Sequence, residues 1–144
     1  MDHVAYMKKS WGLLPKILSG EKQIESRWYQ TKHLPWGKIT VGDTVYFKNS
    51  GEPVTVSAQV KEVISFDNLT PAKVQKILDQ YGQLDGIDSS QLNKFYFLFK
   101  DKKYCLLIFL KNPKKIIPFG INKAGFGAMS AWITVENIDR IRQH

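Results

Sequence analysis

Apolar and polar positions alternate over residues 53–66, PVTVSAQVKEVISF, with Val54, Val56, Ala58 and Val60 on one face and Val63 and Ile64 following less regularly. A period of two in a β-branched run predicts a half-buried strand, and this is the strongest such signal in the chain. HVAYMKK and QIESRWY alternate more weakly and predict two earlier strands. In KITVGDTVYFKN, Gly42-Asp43 makes a turn that feeds a strand beginning at Thr44. The period changes to helical in TPAKVQKILDQYG: Thr70 is the cap, Pro71 takes the first helical position, and Gly82 ends the helix. Val74, Ile77, Leu78 and Tyr81 share its buried face. SWGLLPKILSG predicts a short helix with Ser10 as cap and Gly20 as stop. In DSSQLNKFYFLFKDK, Leu92, Phe95, Tyr96 and Phe99 recur at helical spacing, with Ser89 or Ser90 as cap. KYCLLIFLKN is a buried strand, KKIIPFG an edge segment limited by Pro118, and SAWITV a last strand.

Short strands interleaved with a few helices, without a regular βαβ rhythm, predict an α+β domain: a small mixed β-barrel decorated by about three short helices. At 144 residues the chain is expected to form one domain with one real core. The formal charge of +8 and pI near 9.5 favour an anionic partner. Nucleic acid leads, an anionic membrane surface comes second, and basicity for solubility alone is the plain alternative. No apolar run approaches the ~20 residues of a membrane span, so no membrane insertion is expected. Nothing after Met1 resembles a signal peptide, and a single cysteine fits a reducing cytoplasm. Cys105, inside YCLLIFL, reads as a buried apolar residue. His3, His33 and His144 are scattered, so no metal spacing and no cofactor motif emerges.

GEKQIESR (20–27), followed by VGDTVYF (41–47) and the strand through VSAQVKEV, resembles the ASCH domain, a PUA-like β-barrel family related to RNA-binding modules. The resemblance covers about residues 3–115 and leaves 116–144 as an extension. It implies RNA as partner, in particular a single-stranded or modified nucleotide. It also implies that Lys22 faces a cleft between barrel and helices. Some ASCH proteins are enzymes, either ribonucleases or amidohydrolases acting on acetylated cytidine. The amidohydrolase pattern matches at Lys22 but has threonine where Glu25 stands. Its acidic partner is expected on the helix near Ile77, where Asp79 is the nearest acid.

The residues can also be read without the resemblance. Strand alternation places Gln23, Glu25 and Arg27 on one face and Lys22, Ile24, Ser26 and Trp28 on the other. Arg27 precedes every other arginine by more than a hundred residues, among eighteen lysines. That points to a planar fork holding a carboxylate or phosphate, or to a structural ion pair with Glu25 that closes the barrel. Lys22 also suits a helix C-terminus by charge alone.

Tyr29, Lys32, His33, Trp36 and Lys38 interleave aromatics with cations, the composition that stacks unpaired bases and holds a backbone. Trp28 reads as core and Trp36 as exposed. Residues 94–123 carry eight lysines against Asp101, and Phe126 beside Lys123 is either a stacking finger or folded inward. A non-enzymatic RNA-binding domain is therefore the leading expectation. A ribonuclease using Lys22, Glu25, Arg27 and His33 or Tyr29 is the alternative, ahead of an amidohydrolase and of a small-ligand or protein adaptor.

Overall fold

The computed structural model describes residues 1–127 and 130–143. Ala128 and Met129 of the NKAGFGAM segment, and His144, lie outside them. In chain order the elements are β1 (Asp2–Met7), α1 (Leu13–Ser19), β2 (Ile24–Tyr29), β3 (Thr44–Asn49), β4 (Val54–Phe66), α2 (Pro71–Tyr81), α3 (Leu92–Phe99), β5 (Tyr104–Ile121), β6 (Trp132–Val135) and β7 (Arg142–Gln143). The strands form one curled mixed sheet in the order β2-β5-β4-β3-β1-β6, with β7 paired to the far end of β5. Only β1 and β3 run parallel among these pairings. β2 and β6 are thus the two edges that the curl brings toward each other.

The continuous apolar run of β5 follows from burial on both faces. Leu106 and Ile108 point into the curl, where they meet Phe47, Val56, Ala58 and α1's Leu14 and Ile17. Cys105 and Leu107 point outward under α2 and α3, against Val74, Leu78 and Phe95. Cys105 is fully buried, and burial raises its thiol pKa. A third cluster joins Val4, Val54, Phe119 and Ile133 to Ile138 and Ile141 of the C-terminal segment.

Three local expectations change. First, β5 does not stop before KKIIPFG: it continues to Ile121, because the prolines fall where the ladder already shifts register. Pro113 lies between the pairs Gln59–Lys111 and Ser57–Lys114, and Pro118 between Val56–Lys115 and Val54–Phe119. Bulged positions need no N–H in the ladder, so proline costs little there. Second, Ser10 caps nothing. It lies in a 3-10 turn, Lys9–Trp11, and α1 begins after Gly12 at φ 62°. Third, neither Ser89 nor Ser90 caps α3; both lie in a 3-10 turn entered from Asp88. Gly82 ends α2 as expected, and does so without a positive φ. A Cβ there would meet the Leu78 carbonyl and stand 2.8 Å from Leu92 Cδ2, so close α2–α3 packing requires glycine. The Thr70 cap is formed, its Oγ1 accepting from Lys73 N at 3.3 Å.

Candidate functional site

The sheet leaves a seam between the free edge of β2 and the β1–β6 edge, and Arg27 spans it. Its guanidinium donates to Tyr6 O at 3.2 Å and to Ala131 O at 3.3 Å, reaching both β1 and the entry to β6. Its Nε and one terminal nitrogen hold Glu25 Oε2 at 3.0 and 2.7 Å. The fork is therefore committed to a carboxylate and to the closure of the sheet. A cleft of about 370 Å³ opens along this seam, between β2, the turn before α1, the 85–87 loop and α3. Because β2 is an edge strand, residues of both its faces reach the cleft: Glu25 and Arg27 from one, Ser26 and Trp28 from the other.

The floor is a buried ionic cluster. Lys22 precedes β2, so it escapes strand alternation and turns back. Its Nζ donates to Ile24 O at 2.7 Å, Asp85 O at 2.8 Å and Asp85 Oδ1 at 2.5 Å, and lies 3.2 Å from Glu25 Oε1. An ammonium has three donors, so these acceptors saturate it. Burial works against its charge, but the Asp85 and Glu25 carboxylates outweigh burial and hold the Lys22 pKa above the usual lysine value. Burial likewise opposes ionisation of Glu25, yet Arg27 and Lys22 together hold its pKa below the usual carboxylate value. Among the described residues Asp85 has only Lys22 as a cation, and burial with the nearby Glu25 charge pushes its pKa up. Two carboxylates in one cluster are thus driven apart, the environment that separates acid from base roles. Ser26 Oγ donates to Asp85 Oδ2 at 2.5 Å and accepts from Trp28 Nε1 at 3.1 Å, which ties the cluster to the aromatic wall.

That wall is Trp28 stacked on Phe99 (centroids 4.7 Å apart, planes 4° apart) and Trp11 edge-on to Phe95 at 5.3 Å. Lys8, Lys94 and Lys102 stand at the rim, with no carboxylate partner among the described residues. Lys8 lies over the Trp11 ring at 5.3 Å and Lys94 over Phe95 at 5.8 Å.

Of the residues singled out in the sequence, Lys22, Glu25 and Arg27 meet at this cleft. Tyr29, Lys32, His33, Trp36 and Lys38 do not line it. They gather beyond the end of β2, where Lys32 Nζ sits 5.4 Å from both the Trp36 and Tyr104 rings and Tyr29 Oη donates to Leu34 O. Trp36, expected to be exposed, is half-buried against the interior of the curl and edge-on to Tyr104 at 5.4 Å. Burial raises the Tyr29 phenol pKa, which keeps it protonated. Lys123 and Phe126 lie elsewhere: Phe126 packs inward against the third cluster, and Lys123 reaches over the Tyr6 ring.

Sequence reasoning missed Asp85, which lies four residues past the end of α2 at Tyr81 and pairs with Lys22. Its signal was the pair of glycines around it in YGQLDGID. Gly86 sits at φ 82°, and a Cβ there would stand 3.1 Å from Lys22 Cβ, so glycine is needed for the loop to reach the lysine stem.

In sequence, no family model and no curated protein matches the chain. In structure it is similar to the ASCH protein of Zymomonas mobilis, at TM-score 0.66 and 15% identity over 94% of this chain and 87% of that one. A point mutant of the same protein gives TM-score 0.68 and 15% identity over 96% and 93%. The N-terminal domain of McrB from Staphylothermus marinus gives 0.59 and 12% identity over 96% and 90%. The chain has the small α+β fold seen in these ASCH proteins. Among the described residues no helix is long and apolar enough to cross a membrane.

Proposed function

From the ASCH fold and this cleft, we propose that the protein binds nucleic acid, specifically RNA, and takes one unpaired or modified nucleotide of a single strand into the cleft. The observation that carries the reading is the layering of the site: a charged buried floor, aromatic walls, and rim lysines with no acidic partner among the described residues. A volume of about 370 Å³ lies in the range of small-ligand pockets, about 300–1,000 Å³, and suits a single nucleotide. Flat rings offer stacking worth about 1–3 kcal/mol per base, and the lysines offer contacts to the flanking phosphates. Fluorescence anisotropy with single-stranded RNA at about 100 mM salt tests this. The triple variant Lys8→Glu/Lys94→Glu/Lys102→Glu, altered only at the rim, should bind at least ~10-fold more weakly. Its salt dependence should be shallower by about 0.7 per lost phosphate contact. Absence of binding in the wild type, or equal binding by the variant, overturns the reading.

Asp85 favours a second reading, an RNA-directed hydrolase. Lys22 is saturated and held as an ammonium, so it is a poor nucleophile or base. Asp85, its pKa raised at the cleft floor and hydrogen-bonded to Ser26, is the group suited to move a proton. Purified protein would then cleave RNA or release acetate from acetylcytidine, and Asp85→Asn would abolish the activity. Activity surviving in Asp85→Asn would assign it elsewhere.

A further inference from the structure

On the outer face of the sheet, Lys48 of β3 stands beside Tyr6 of β1, to which it is paired in register. Lys48 is 4% exposed, yet its ammonium makes no hydrogen bond or ion pair among the described residues. It lies 4.9 Å from the Tyr6 ring centroid, and Lys123, from the loop after β5, reaches the same ring at 5.0 Å. The Tyr6 hydroxyl is itself buried without a partner among the described residues. Two ammonium groups therefore converge on one ring with no acid described there. Two like charges facing one ring repel each other. The ring faces offset part of this by cation–π attraction, but no ring accepts the remaining donors.

We propose that Lys48 and Lys123, held over the Tyr6 ring, form a phosphate-binding site. Phosphate oxygens accept from the two ammonium groups, and the group's negative charge compensates both. The site differs from the cleft floor, whose cations already face carboxylates. Tyr6 also lines the cleft wall. That shared residue makes the phosphodiester of a bound RNA strand the source of the group, a step that rests on the nucleic-acid reading above. Burial, with the neighbouring Lys123 ammonium, holds the Lys48 pKa below the usual lysine value, a penalty that a bound anion would relieve.

Two arms test the proposal. In the first, inorganic phosphate is titrated against chloride at constant ionic strength while thermal unfolding is followed in the wild type, Lys48→Met and Lys123→Met. Wild-type Tm should rise with phosphate by about 3–6 °C for each tenfold excess over the dissociation constant, and either variant should lose most of that rise. Lys48→Met keeps the buried stem and removes the repulsion from Lys123, so without phosphate it should melt no lower than the wild type. Lys123 is exposed, which keeps the test informative should Lys48→Met pack badly. No phosphate-specific rise, or an equal rise in both variants, overturns the site.

In the second arm, single-stranded RNA binding by the two variants should weaken severalfold. Phosphate stabilisation lost while RNA affinity stays unchanged would refute the RNA backbone as the source and leave free phosphate as the ligand. If RNA fails to bind even the wild type, the cleft reading falls, and the first arm still decides the phosphate site.

Discussion

Replacing Lys22 by methionine tests the ionic floor most directly, because the stem is kept and only the ammonium is lost. The change strips donors from Ile24 O and Asp85 O and leaves Asp85 and Glu25 without the cation between them. Removing one partner of a buried ion pair costs about 3–5 kcal/mol. Total stability for a domain is about 5–15 kcal/mol, so the variant should fold but melt about 6–20 °C lower. The loss should also depend on pH, and its sign follows from Asp85. Asp85 already titrates above its unfolded value, and losing the ammonium pushes it further up. A group with a raised folded pKa favours the folded state below its unfolded pKa, and that advantage disappears as pH rises through the folded pKa. The deficit of Lys22→Met should therefore be larger at pH 8 than at pH 5. Urea denaturation followed by tryptophan fluorescence at both pH values measures it. Adding Asp85→Asn and Glu25→Gln to Lys22→Met should restore much of the loss, since a neutral triad has no unpaired charge. A deficit below about 1 kcal/mol, or one independent of pH, would mean that water screens the cluster and would refute the account.

Arg27→Met should cost about 2–4 kcal/mol, losing the Glu25 pair and both seam hydrogen bonds. Native-state hydrogen exchange should quicken in β6 and β1 while the β4–β5 ladder stays protected; uniform acceleration would contradict a role in closing the sheet. Glu25 titrates below its unfolded value, so its stabilisation is present above the unfolded pKa near 4.5 and disappears as pH falls through the lowered folded value. Glu25→Gln should flatten that acid limb in a series of melts between about pH 2 and 6; an unchanged limb would assign acid sensitivity to other carboxylates. Phe47→Ala, inside the curl and fully buried, should cost about 3–5 kcal/mol in urea without altering RNA binding.

What the sequence revealed follows from how local each determinant is. The alternation through Val54–Val60 and the Thr70–Pro71 start of α2 are set by neighbours, so both were legible. The continuity of β5 was not: Pro113 and Pro118 look like breaks until the register of β4 shows that each falls at a bulge. Trp36 lies between Pro35 and Gly37 and reads as a loop residue, but Tyr104, brought alongside by β2–β5 pairing, half-buries it. The charged octapeptide showed Lys22, Glu25 and Arg27 as a group, and the Arg27–Glu25 pair followed from alternation alone. Asp85 lies 63 residues from Lys22, and no periodicity carries a contact over that distance. Nothing in the sequence singled out Lys48, because the register that sets it beside Tyr6 is a parallel pairing across 42 residues.

The floor's arithmetic bears on what can occupy the cleft. Lys22 and Arg27 supply two positive charges and Glu25 and ionised Asp85 two negative ones; Lys22 spends its donors within the cluster, and Arg27 keeps one of its five beyond Glu25, Tyr6 O and Ala131 O. Most of the spare hydrogen-bonding capacity at the floor therefore lies on the carboxylate oxygens, each with lone pairs beyond its present partners. An acceptor-rich floor suits donors, such as the amino and imino edges of a base, and repels a phosphate. The rim has the opposite polarity: Lys8, Lys94 and Lys102 offer donors, and Lys48 and Lys123 add two more past Tyr6. Under the nucleotide reading this gradient sets a direction, base inward and phosphate outward. Protonating Asp85 converts one floor acceptor into a donor and leaves the cluster with a net positive charge. The preference for a base edge should then change as pH falls through the Asp85 transition, while the phosphate contacts at the rim stay as they are.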